Sequence, residues 1–300
     1  MRPAPIAIPG AALGDARPKP PPRPPYEALR VFARNPTALI GVLLLAAILA
    51  VTIFGPMAME TDPFEIAAAP MEPPGSDLLL GSDYLGRDVL TGMIYGGRAT
   101  LLVGVVAAVL SMAIGVTVGA LAGYYGGWVD ETLMRITEFF QVLPTLLFAM
   151  VLVTLFTPSL ATIAVAIGVV SWTGTARLAR GEFLRLKRRE YVLAERVIGA
   201  GDARIIWRVI LPNALAPLIV SATLAIGTAI LFEAGLSFLG LGDPNVMSWG
   251  LMIGSNRPYI LTAWWAVTLP GAAIFLTVLA VSLIGDGLND ALNPTSRGRA

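Results

Sequence analysis

Six stretches of this chain run apolar for long enough to cross a lipid bilayer, and that pattern limits its fold more than any other feature. They cover residues 37–59, 99–123, 136–156, 160–176, 214–232 and 259–285. The first two are uncharged, and the third contains Glu138, Gln141 and Pro144. Each approaches the roughly 20 residues that span about 30 Å of hydrocarbon as a helix. Lipid offers no hydrogen bonds, so the backbone must satisfy its own, and these segments are helices rather than isolated strands. The chain is 56% hydrophobic and 14% charged, where a soluble domain is nearer 25% charged. Too little polar side chain remains to cover a surface that faces only water. The expected fold class is an all-α integral membrane protein with about six transmembrane helices.

Composition also removes whole classes of chemistry. Cysteine and histidine are absent, so disulfides, thiol nucleophiles, zinc fingers and imidazole bases are excluded. The lysines are Lys19 and Lys187, and neither follows the glycine pattern of a phosphate-cradling loop. No serine stands in a nucleophile elbow or a Ser-x-x-Lys motif. The formal net charge of +1 gives no footprint for nucleic acid. No catalytic residue and no metal site is expected, and energy for any work must come from another protein.

Residues 1–35 precede the first span and read as an extended cytoplasmic tail, with Pro18, Pro20, Pro21, Pro22, Pro24 and Pro25 close together. The first apolar run starts late and is long enough to span, which favours a retained helix over a cleaved leader. Arginine and lysine set the orientation. The tail carries Arg2, Arg17, Lys19, Arg23, Arg30 and Arg34. Residues 177–212 carry nine more cations, from Arg177 to Arg208. The segment 58–97 has one, Arg87, against seven acids. Six spans place the tail and the basic loop on the cytoplasmic side and the acidic segment outside. The transmembrane domain then extends over 36–294, with 295–300 a cytoplasmic tail.

Local patterns add candidate roles. Gly115, Gly119 and Gly123 repeat at every fourth position of the second span and invite close approach of another helix. Asp83, Arg87 and Asp88 form an external cluster in which Arg87 can bridge the carboxylates. The cluster serves either as a scaffold toward the translocation path or as a local capping network. Arg135 and Glu138 are spaced for an i,i+3 pair, Pro144 should kink the third span, and Glu138 and Gln141 are candidate path residues. Gly240 and Gly242 allow a tight external turn, and Trp249, Trp264 and Trp265 suit the membrane interface.

The segment 180–212 is too long and too polar for a simple turn. From Glu190 the spacing is helical, with Leu193 over Val197 and Ala194 over Ile198 forming an apolar stripe. Gly199 and Gly201 bracket a turn. Asp202 is placed to cap a second short helix through Arg204, Ile205 and Trp207, and Pro212 stands where the next span begins. The expectation is a helix-turn-helix lying across the cytoplasmic membrane face.

This segment resembles the cytoplasmic "EAA" loop of ABC-importer permeases. In that register fall Leu193, Ala194 and Glu195, then Gly199, Val209, Leu211 and Pro212. Leu193 stands where the family has glutamate and Glu195 where it has a second alanine, so the carboxylate lies on a different helix face. Leu80–Gly104, Glu233–Ile253 and Gly285–Pro294 resemble corresponding stretches of the dipeptide/oligopeptide/nickel class, in its C-type member. The resemblance covers roughly residues 28–294. It implies a type I ABC importer permease fold in the inner membrane, with both termini cytoplasmic and a coupling helix built from Glu190, Ala194, Glu195, Arg196, Gly199, Asp202, Leu211 and Pro212. It implies as partners a second (B-type) permease subunit, two ATPase subunits and an external substrate-binding protein, beside the lipid bilayer and no nucleic acid. ATP and magnesium are then used by the ATPases, and this chain binds no cofactor. The competing readings are a self-sufficient secondary transporter or channel, which would show ion-coupling acids mid-span or an inverted repeat, and a membrane-embedded enzyme.

Overall fold

The computed structural model describes residues 25–59, 61–75 and 78–292. Most of the proline-rich tail and the expected C-terminal tail at 295–300 lie outside the described residues. The described chain is helical, and its only pairing of extended backbone is in two isolated bridges, Ile66 with Arg87 and Ser82 with Asp88.

The first helix, α1 (Pro25–Arg34), overlaps the segment expected to be extended. The reason is local. Pro25 is the last proline of the run, its fixed φ suits a helix start, and the next nine residues contain no breaker. Asn35 separates α1 from α2 (Pro36–Ala58), its side chain accepting from the amides of Thr37 (3.1 Å) and Ala38 (3.3 Å). Pro56 lies inside α2 and cannot donate to the carbonyl of Thr52. Arg98 supplies the missing donor, with Nε 2.8 Å from the Thr52 oxygen and Nη2 2.5 Å from the Ile53 oxygen. An arginine near a membrane helix thus satisfies the backbone defect that proline makes.

Helix α3 (Val89–Tyr125) is 37 residues long, roughly 55 Å at 1.5 Å per residue. It starts ten residues before the span expected at 99–123, because Asp88 caps it and the stretch from Val89 to Gly97 is packed against Thr52 and Gly55 of α2 and against Trp249 and Met252. The third and fourth spans are broken pairs. Helices α4 (Gly127–Val142) and α5 (Thr145–Leu155) meet at 87° across Pro144, in line with the expected kink. Helices α6 (Leu160–Ser171) and α7 (Thr173–Leu186) bend by 45° at Trp172, and α7 continues ten residues past the span expected to end at 176.

After α8 (Glu190–Val197) and a glycine turn comes α9 (Asp202–Arg204), a π-helical turn (Ile205–Ile210) and α10 (Leu211–Phe238). These last three elements form one rod, Asp202–Phe238. The expected helix-turn-helix across the membrane face is therefore corrected. Its second arm is the start of a span, because a π turn passes the chain into Pro212 without a break. Helix α11 (Trp249–Asn256) and a 3₁₀ turn (Arg257–Tyr259) lead to α12 (Trp265–Leu292), which starts six residues later than expected. Four helices are long and apolar enough to cross a membrane, and six spans result if each bent pair counts as one.

Three apolar clusters follow one another along α3. Val89 packs with Trp249, Met252 and Ile274. Val103 and Ala107 pack with Val153, Ile163 and Leu236. Ala120 and Tyr124 pack with Phe183, Val192, Ile205 and Ile210. Two tryptophans expected at the lipid interface are interior instead. Trp249 donates its indole N–H to the Met93 carbonyl at 2.8 Å and Trp265 donates to that of Ser82 at 3.1 Å, while Trp264 is exposed.

The glycine stripe does what its spacing implies. Gly115, Gly119 and Gly123 let α7 press against α3. A methyl at Gly119 would lie 2.2 Å from the Ala176 carbonyl oxygen, and one at Gly123 would lie 2.7 Å from that of Arg180. Gly119→Ala should therefore lower stability by about 1–3 kcal/mol, because backbone cannot move aside. Gly174→Ala, at an exposed position of α7 with nothing within 4 Å, should be neutral or stabilise by up to about 1 kcal/mol. Melting temperatures of the two purified variants check the contrast, and equal losses would contradict it.

Candidate functional site

At one end of α3, Lys187, Arg188 and Arg196 border a concave surface. Its volume is about 700 Å³, and Tyr124, Lys187, Arg188, Leu193, Arg196 and Asp202 line it. The side chains come from the end of α3, the residues after α7, α8 and the start of α9. Lys187 follows α7 and donates to the carbonyls of Gly123 (2.6 Å) and Tyr124 (3.3 Å), which the last turn of α3 leaves without donors. Burial pushes the Lys187 ammonium below its ordinary value, helped by Arg188, against the opposing pull of Asp130. Below it, Arg180 of α7 grips Asp130 of α4 through two bonds, Nε to Oδ1 at 2.5 Å and Nη2 to Oδ2 at 2.7 Å.

Helix α8 sits on this platform by one buried side chain, Val192, packed among Phe183, Ile205 and Ile206. Its expected apolar stripe faces outward. Leu193 is 48% exposed, Val197 87% and Ile198 74%. Glu190 opens the helix and, like Ala194, is exposed. Glu195 is half-buried with Oε2 3.8 Å from Arg204 Nε. The Arg196 guanidinium lies 5.2 Å from the centroid of the Tyr124 ring. Gly199 ends α8 at φ +84°, a left-handed conformation that favours glycine, and its amide bonds back to the Arg196 carbonyl.

Asp202 does not cap α9. The cap position is Gly201, and the Asp202 carboxylate instead accepts a 2.6 Å hydrogen bond from the Tyr124 hydroxyl. Sequence could not supply this pairing, because the two residues are 78 positions apart. Leu211 and Pro212 sit at the exit of the π turn, where the Leu211 amide bonds to Ile206 oxygen, five residues back.

The cluster of Asp83, Arg87 and Asp88 is arranged differently from the bridge expected of it. Asp83 is buried and its Oδ1 accepts from the amides of Leu85 and Arg87, both at 2.8 Å. Asp88 caps α3, accepting from Leu90 (3.2 Å) and Thr91 (3.0 Å). Arg87 joins neither carboxylate and lies over the Phe64 ring, 5.0 Å from its centroid. With backbone amides already holding both acids, the guanidinium has the aromatic face as its remaining partner. Glu138 and Gln141 are exposed on α4 just before its break. The described residues hold no ion pair between Arg135 and Glu138; both are exposed, where such a pair contributes little.

Glu233 falls just past the span expected at 214–232, yet α10 runs on to Phe238 and buries it. Ser237 Oγ donates to its Oε1 at 2.8 Å, and Oε2 has no hydrogen-bond partner. The i,i+4 serine was the available signal, since that spacing continues a helix.

Comparison with known proteins agrees with this architecture. Residues 115–298 match the family described as binding-protein-dependent transport system inner membrane component, and residues 25–74 match the N-terminal TM domain of oligopeptide transport permease C. The di/tripeptide transport system permease protein DppC of Pseudomonas aeruginosa is 41% identical over 287 residues, covering 93% of this chain and 95% of that protein. The dipeptide permease protein DppC of Escherichia coli K12 is 43% identical over 279 residues, covering 90% and 93%. The oligopeptide permease protein OppC of Bacillus subtilis is 37% identical over 273 residues, covering 90% of each. Among solved structures, a chain of the MetNI methionine ABC transporter in an inward-facing conformation aligns with a TM-score of 0.53 and 19% identity, over 67% of this chain and 96% of that one. That likeness concerns the fold.

The platform beneath α8 is open to a direct test. Lys187→Met removes the donor at the end of α3 and should cost about 1–2 kcal/mol near neutral pH. Because burial lowers the folded-state pKa, the lysine's linked stability is lost as pH falls through that value and fully present above the ordinary 10.5. The melting-temperature gap between wild type and Lys187→Met should therefore widen as pH rises toward 10.5. A gap that narrows would contradict the burial of this ammonium.

Proposed function

Since this chain belongs to the family of binding-protein-dependent transport system inner membrane components and is a permease subunit of an ABC importer, we propose that it is the C-type half of a path that carries dipeptides or short peptides into the cell. The names of its relatives support the peptide class. In this reading a second, B-type permease completes the path, two ATPase subunits sit on the cytoplasmic face, and an external binding protein delivers the solute. Both termini are cytoplasmic, in keeping with the cations of the tail and of residues 177–212. ATP and magnesium are handled by the ATPases, and this chain contributes no catalytic group.

One observation carries the coupling role: α8 presents Leu193, Val197 and Ile198 outward from a base that is firmly packed. An apolar edge exposed this way, bordered by Glu190, Arg188 and Arg189, suits a groove on another protein. The ATP-bound state of the partners favours one position of α8. Linkage then requires that the same position favours one state of the path, and transport follows from ATP turnover. Glu138 and Gln141, next to the break between α4 and α5, are the candidate path residues, and Asp83, Arg87 and Asp88 stiffen the external approach to it.

A secondary transporter would work without ATPases, so reconstitution separates the two readings. Proteoliposomes with this chain and its permease partner alone should show no uptake, and adding both ATPases, ATP and the loaded binding protein should restore it. Leu193→Glu with Val197→Glu should reduce ATPase co-purification at least roughly tenfold, as expected when a buried apolar contact of this kind gains two charges. Unchanged co-purification of the double variant would remove the docking role of α8.

A further inference from the structure

A push delivered to α8 meets a weak point immediately. The residues after it, Gly199-Ala200-Gly201, form the junction with α9; Gly199 holds a positive φ, and a side chain at either glycine would meet nothing within 4 Å. Such a junction bends easily. Unless the junction is braced, part of a stroke applied to α8 is absorbed there before it reaches the rod Asp202–Phe238 or the long helix α3.

Val192 packs with Ile205 and Ile206 beyond the junction, and two polar contacts also cross it. Glu195 of α8, half-buried, lies 3.8 Å from exposed Arg204 of α9, too far for a hydrogen bond and a weak pair. The other contact uses a residue from neither side. Tyr124, buried at the end of α3, donates its hydroxyl to Asp202 on the far side of the glycines at 2.6 Å. The face of the same ring receives Arg196 from the near side at 5.2 Å. One aromatic side chain thus holds both arms of the hinge, and α3, to which it belongs, is in contact with α7, α10, α6 and α2.

We propose that Tyr124 is a positioning residue for coupling, a strut that locks the Gly199–Gly201 hinge so that α8, α9 and the end of α3 move as one body. The proposal rests on α8 being the ATPase contact. The hydroxyl provides the lock across the hinge, because a hydrogen bond to a carboxylate is directional and stronger than a neutral one. The ring provides the seat for Arg196 and remains when the hydroxyl is removed. Tyr124→Phe therefore opens the hinge without emptying the core.

The test uses the complete importer in nanodiscs, with spin labels at Thr117→Cys, exposed on α3, and at Tyr191→Cys, exposed on α8 outside the edge formed by Leu193, Val197 and Ile198. This chain has no cysteine of its own, and cysteines of the partners are substituted. In the otherwise wild-type chain the distance between the labels should be the same without nucleotide and with ATP trapped. In Tyr124→Phe it should match wild type without nucleotide, then shift by about 5 Å, one helical turn, and broaden with ATP. Asp202→Ala should behave like Tyr124→Phe. Asp202→Asn keeps an acceptor and should behave like wild type, a rescue that a purely structural role does not predict. The proposal is overturned if the wild-type distance changes with ATP, if Tyr124→Phe keeps the wild-type distance with ATP, or if its distance is already altered without nucleotide. ATPases that fail to associate with the wild-type chain would instead remove the coupling reading itself, and the strut with it.

Discussion

The close approach of α3 and α7 is the contact on which the other positions depend. Without a hydrophobic driving force between helices in lipid, association rests on surface fit, and Gly115, Gly119 and Gly123 provide it by removing side chains from one face of α3. The consequence reaches beyond two helices. Because α7 is fixed along α3, its last residues are fixed too. Lys187 then reaches the free carbonyls at the end of α3, Arg180 reaches Asp130, and the basic chain that follows leaves at a defined angle. A bulkier α3 would displace the platform that carries α8.

From that platform the functional geometry follows in steps. Val192 anchors α8 while Leu193, Val197 and Ile198 stay open. The glycine junction turns the chain, and the π turn Ile205–Ile210 carries it into α10 past Pro212. A contact made at α8 therefore acts on a rod that reaches the opposite end of the bundle, where Glu233 is buried beside α11.

Much of this was legible in the sequence, and the misses have physical reasons. The apolar runs, the split of charge between loops, the kink at Pro144, the glycine stripe, α8 and the turn at Gly199 all arise from local composition or short-range spacing, which a sequence carries directly. Helix ends were harder. The start of α3 at Val89 is set by Asp88 and by protein rather than lipid around Gly92 and Gly96, so a hydropathy window begins too late. Trp249 and Trp265 have the composition of interface anchors, but tertiary partners draw them inward. Asp202 carries a capping residue's identity while its carboxylate answers to Tyr124, and Arg87 turns from the acids beside it to Phe64. Long-range pairings of this kind leave no trace in spacing.

The central claim is that α8 carries force from separate ATPases into a bundle with no nucleotide site of its own. A photoreactive amino acid placed at Val197, the most exposed apolar position of α8, tests it in intact cells. Irradiation should join this chain to an ATPase subunit, with a yield that changes when cellular ATP is depleted. Adducts to lipid alone, or to no protein at all, would contradict the account.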